Sequence, residues 1–141
     1  MNDDTSDAAL LAHLDARHRQ RLAEAPQVWS ALADGGFQDG MIALLDFVLY
    51  GRDEQAARAI ADRIRATYLV TVSELPGQGW MVSGTTAPYG SALTQARHTE
   101  WVQYLCELAT AHGFVFSAWA VEAPALTLKV TSASFDPGLP S

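Results

Sequence analysis

Beyond residue 40 the apolar residues of this chain change period in a set order, and that order admits few folds. Met41 to Tyr50 alternates, with Leu45, Phe47 and Leu49 on one face and Asp46, Val48 and Tyr50 on the other, as a strand requires. Asp53 then offers an N-cap, Glu54 suits the helix dipole, and Ala57, Ile60, Ala61 and Ile64 recur at helical spacing to about Ala66. Tyr68 to Leu75 is rich in β-branched residues and sets Val70 and Val72 against Thr71 and Ser73. Pro76-Gly77-Gln78-Gly79 marks a turn, and Trp80 to Thr85 returns as a third strand. After a looser segment from Thr86 to Leu93, Thr94 caps a helix carrying Trp101, Val102, Leu105, Leu108 and Ala109, which stops at Gly113. Phe114 to Glu122 makes a fourth strand, and Leu126, Leu128 and Val130 allow a short fifth.

The order strand, helix, strand, hairpin, strand, helix, strand predicts an α+β domain of the split βαβ type. In it, two helices pack on one face of a four-stranded antiparallel sheet. The other sheet face is left for an N-terminal helical extension or a partner to cover. Residues 1–6 read as an acidic tail. A first helix is expected from Asp7, its cap, to Ala25, with Ala8, Leu11, Leu14, His18 and Leu22 at helical spacing. Pro26 is expected to restart the chain, since proline suits a first turn and not a helix interior. A short piece from Gln27 to Ala33 then carries Val28, Trp29 and Leu32, and Gly35-Gly36 end it. The division is thus residues 1–25 for tail and helix, 26–125 for the split βαβ body, and 126–141 for a short strand and a Pro/Gly-rich end, frayed from Asp136. Together they form one domain.

Nine Lys and Arg stand against sixteen Asp and Glu, a formal charge of −7. Such a field repels phosphates, so neither direct nucleic-acid binding nor an anionic membrane surface is expected. Lys129 is the single lysine, and the eight arginines form no stripe interleaved with aromatics. The longest apolar stretch, Met41 to Tyr50, is far shorter than the roughly 20 residues of a membrane helix. One cysteine, Cys106, suits a reducing compartment, and an acidic start suits no secretion signal, so a cytoplasmic location is expected.

Residues able to do chemistry are present but badly spaced for it. Eight helical residues separate His98 from Cys106, about 12 Å along the axis, and His112 points elsewhere, so an inert thiol is the better reading. His13 and His18 fall on different helix faces, with no third ligand beside them. Gly77-Gln78-Gly79 leaves a turn to enter a strand, where Val82 fills the third glycine position of a phosphate loop. No catalytic set, cofactor or metal is therefore assigned. Arg17, Arg19 and Arg21, near His13 and His18, form a local basic patch. A solvated helix face is its plain reading, and a dock for an acidic partner the sharper one. Trp101 belongs to a helical core stripe. Trp119, on what would be an edge strand, is open to either core packing or partner contact, with packing favoured.

The landmarks resemble the family of the regulator of ribonuclease E activity B over roughly Arg21 to Glu122. The likeness rests on Val28-Trp29, Leu32, Asp46-Phe47 and Tyr50, then Ala56, Ala57, Ile60 and Tyr68. It continues through Trp80-Met81-Val82-Ser83-Gly84-Thr85, Pro88, Leu93-Thr94, Trp101, Cys106, Leu108, Ala109 and Phe116-Ser117-Ala118-Trp119-Ala120. The family's usual Asp-Gly-Trp-Gly keeps only Trp119 here, and the acidic C-terminal tail of its best-known members is missing. The resemblance implies a ferredoxin-like fold and a non-catalytic regulator that binds an RNA-degrading endoribonuclease and lowers its activity. The expected partner-contacting residues are Trp119, Asp46, Tyr50, Arg17 and Arg21. A small-molecule sensor or an RNA-binding module on the same fold is the alternative, although Asp46, Thr71 and Ser73 ill suit RNA. No oligomeric state is assigned.

Overall fold

The computed structural model describes residues 3–132, with side chains from residue 8 onward. The elements in chain order are α1 (Asp3–Asp34), β1 (Ile42–Gly51), α2 (Glu54–Ile64), β2 (Leu69–Leu75), β3 (Gly79–Thr85), β4 (Ser91–Ala92), α3 (Gln95–Ala111), β5 (Val115–Ala123) and β6 (Leu128–Thr131). All strands pair antiparallel in one sheet of order β2-β3-β1-β5-β6, and β4 adds to the start of β1. The fold is α+β, as the periods predict, but among the described residues the sheet has six strands, against an expected four and a possible short fifth. The short strand expected near 126–130 is β6, preceded by a 3₁₀ turn at Pro124–Leu126. The looser segment holds β4, too brief for any period to show.

Local chemistry explains most boundaries. The Asp53 side chain accepts from Gln55 N–H and Thr94 from Arg97 N–H, so both crossover helices start where their caps stand. Between β2 and β3, Gly77 has φ +74 after Pro76, and Leu75 C=O accepts from Gln78 N–H, the arrangement of a type II turn. Gly84 faces Phe47 across the β1–β3 ladder so closely that a Cβ would strike its ring. A bare backbone there lets Phe47 lie flat into the core.

One sheet face carries the main core cluster, although Ala118 and Ala120 of β5 are buried on the other. Leu45, Phe47 and Leu49 of β1, Val82 of β3, and Phe116, Trp119 and Val121 of β5 are buried on the main face. Ala57, Ile60 and Ile64 of α2 join them, with Trp101, Val102 and Leu105 of α3 and Val28, Trp29 and Leu32 of α1. All three helices therefore close on the same face.

The expected break at Pro26 does not occur. Helix α1 runs from Asp3, so Asp7 does not cap it, and it passes through Pro26 and the 25/26 boundary without interruption. The expected acidic tail keeps only residues 1–2 outside the described part, whereas the Pro/Gly-rich end lies wholly outside it. What carries the helix past its proline is one stripe: Leu14, His18, Arg21, Ala25, Val28 and Leu32 are all buried, at steps of three and four. Leu11 of the expected stripe is instead exposed. An interior proline costs about 3 kcal/mol through the missing bond to the carbonyl four residues back, here Leu22, and a clash with it. Packing on α3 and β5 offsets that. Pro26→Ala is accordingly expected to stabilise the protein by about 2 kcal/mol, after allowing for the freer unfolded chain. A urea midpoint that does not rise would show that the turn at Leu22 is already relaxed.

Candidate functional site

A bulge in the central ladder organises the polar interior. Val48 pairs Ala118 and Leu49 pairs Phe116, so Ser117 is an extra residue in β5. A bulge frees backbone groups from the ladder, and buried ones need partners. Both come from α1. Phe116 N–H donates to His18 Nε2 at 2.9 Å, and Arg21 donates from its guanidinium to Ser117 C=O. Glu24 Oε1 lies 3.4 Å from Arg21 Nε, which keeps that buried cation paired. Because Nε2 of His18 accepts, its proton sits on Nδ1, 2.9 Å from the hydroxyl of Thr110 on α3. Burial, then the nearby Arg21 cation, push the His18 pKa down to about 4.

A second histidine stands in an aromatic box. His98 is fully buried, with Trp29, Trp101 and Trp119 ring centroids 5.8, 6.5 and 6.0 Å away. Trp119 Nε1–H donates to His98 Nε2 at 3.1 Å, and His98 Nδ1 has no hydrogen-bond partner among the described residues. Burial holds the pKa of His98 near 4. Beside the other histidine, Cys106 is buried with Sγ 3.8 Å from His18 C=O, and burial pushes its thiol up to about 12. A thiol so held is a poor nucleophile at neutral pH. Among the described residues, no three His, Cys, Asp or Glu side chains gather as a metal site would need, and no helix is long and apolar enough to cross a membrane.

The five residues expected to contact a partner do not gather on one surface. Trp119 is fully buried, and its strand is not an edge, because β6 pairs with β5 beyond it. Arg21 is also fully buried, so the expected basic patch is divided: Arg19 is exposed beside Asp15 at 3.1 Å, Arg17 half-buried, and Arg21 inside. Neither Trp119 nor Arg21 offers surface to a partner in this fold. The signal for Arg21 was present in its spacing within the α1 stripe, but an arginine among apolar positions reads as solvated unless its acceptor is known.

Asp46 and Tyr50 remain half-exposed on the sheet face opposite the helices. There Asp46, Val48, Leu69, Thr71, Ser83 and Thr85 of β1, β2 and β3 line an open groove of about 490 Å³. Sequence alternation assigns Asp46, Thr71 and Ser73 to this face but does not single out Leu69, which is 65 % exposed at its margin.

A scan against models of known protein families gives no match, and a search of curated proteins gives none either.

Proposed function

We propose that this chain is a non-catalytic regulator that binds an RNA-degrading endoribonuclease of the ribonuclease E type through the uncovered sheet face. The single observation that carries the reading is that groove: a mixed polar and apolar face, running across β3 from Asp46 on β1 to Leu69 on β2, that no described element covers. The order β5-β1-β3-β2, with α2 and α3 as crossovers, fits the ferredoxin-like arrangement that the resemblance implies, with α1 and β6 as additions. The landmarks of the resemblance include Asp46 and Tyr50, which lie on this face. A charge of −7 favours a protein partner over RNA. The buried thiol and the two buried histidines support a structural role for the groups that could otherwise do chemistry.

The test uses the purified full chain and a purified endoribonuclease of this type, with and without prior ribonuclease treatment. Binding and slowed RNA cleavage are expected in both cases. The double change Asp46→Lys and Thr71→Lys should weaken binding by about 2 kcal/mol or more, roughly 30-fold, while the protein melts as before. Binding that vanishes on ribonuclease treatment would transfer the reading to an RNA-binding module. Binding untouched by the double change would move the interface off this face.

A further inference from the structure

We propose that two copies of this chain associate by pairing their β2 edges antiparallel about a two-fold axis at Val72. This goes beyond the regulator reading and stands without it. Strand β2 ends the sheet on one side, so one row of its N–H and C=O groups points away from β3. No described backbone hydrogen bond outside the β2–β3 ladder engages residues 69–74. Proteins commonly blunt such an edge with lysine, proline, a bulge or a very short strand. The opposite edge, β6, is four residues long and carries Lys129. Strand β2 has seven residues, Leu69-Val70-Thr71-Val72-Ser73-Glu74-Leu75, in an unbroken register with no lysine or proline.

The sequence of this edge is complementary to itself. About Val72, Leu69 of one copy faces Leu75 of the other, Thr71 faces Ser73, and Val72 faces Val72. Each Glu74 faces Val70, so no like charges meet directly. The 65 % exposed Leu69 thereby gains an apolar neighbour, Leu75 of the other copy. Residues 69, 71, 73 and 75 remain together on the open face, and the helices of both copies stay on one side. The two six-stranded sheets then join into one, and the grooves beside Asp46 lie on a single continuous surface. Each copy carries −7, so the pairing works against long-range repulsion and should tighten as salt screens it.

Sedimentation of the full chain from about 1 μM to about 1 mM, at low and moderate salt, tests this. A monomer–dimer equilibrium that strengthens with salt is expected. Leu69→Lys, at an exposed position, should raise the dimer Kd about tenfold without lowering the melting temperature, and Leu75→Glu should act likewise. Mixing those two single variants should restore dimers, because the introduced lysine then faces the introduced glutamate while the other Leu69–Leu75 contact survives. A monomer at every concentration and salt would overturn the proposal. So would a dimer indifferent to Leu69→Lys, or a mixture no tighter than its components.

Discussion

Between pH 6.5 and pH 4 the protein is expected to lose a large part of its stability, through His18 and His98. Both rings accept on Nε2 from donors that cannot reverse, the Phe116 amide and the Trp119 indole. A second proton would have to displace those donors and place a cation in the core. Burial accordingly holds both pKa values near 4, against 6.5 for the free side chain. As pH falls, the unfolded chain takes up these protons first. The stabilisation is therefore complete above about pH 6.5, drains away as pH drops toward 4, and levels off below that. At ~1.4 kcal/mol per pH unit the loss is about 3 kcal/mol for each histidine, together a large part of an ordinary domain's 5–15 kcal/mol. Arg21, Asp15, Arg17 and His13 surround His18 and partly oppose one another, so His98, amid neutral rings, gives the cleaner signal. Urea titrations at pH 7, 6, 5 and 4 should show the midpoint falling. His98→Gln should be weaker at pH 7 but lose correspondingly less on acidification. A midpoint flat from pH 7 to 4 would mean that neither ring is held neutral by the fold.

Trp119→Ala is expected to cost about 3–5 kcal/mol, as large-to-small changes in a packed core do. Its ring is fully buried against Phe116 at 5.4 Å and His98 at 6.0 Å, so truncation leaves a void between β5 and the helices α1 and α3 that cover it. It also removes the donor to His98 Nε2, whose Nδ1 already has no hydrogen-bond partner among the described residues. Trp119→Phe separates these effects, since it restores much of the volume but not the indole N–H. An intermediate loss is expected, along with a His98 ring that titrates nearer its ordinary range by NMR. Partner binding should fall only as far as folded protein is lost. If Trp119→Ala melted like the parent yet no longer bound, the indole would have to reach the surface in solution.

What the sequence disclosed was set by how locally each feature is determined. Helix α2 could be placed from its cap and four apolar residues, because Asp53, Ala57, Ile60, Ala61 and Ile64 act within one short segment. The face of β1 was equally legible, since Leu45, Phe47 and Leu49 bury strictly by alternation. Pro26 misled because its local penalty is real and is outweighed only by contacts some ninety residues away. Arg21 misled for a related reason, as its acceptor is the carbonyl of a bulge residue in β5. The bulge itself left no trace, because β5 is buried on both faces and Phe116-Ser117-Ala118 shows no broken alternation. Of the expected contact residues, Asp46 and Tyr50 came from a strand whose pattern is its own. Trp119 and Arg21 came from places where tertiary partners decide.

The docking of α1 also orders events in time. His18 and Arg21 find their partners across 92, 98 and 96 residues of chain, at Thr110, Phe116 and Ser117. At a synthesis rate of about 5–20 residues per second, the α1 stripe emerges from the ribosome some 5–20 seconds before the strand that receives it. Strands β1, β2 and β3 can meet in that interval, since their pairings are shorter in range, yet α1 must wait with Leu14, Val28 and Leu32 bare. Contacts of such range form slowly even once both ends exist. The nascent protein thus carries its longest helix as its most persistent sticky surface. A cell that makes it must shelter that helix until β5 arrives.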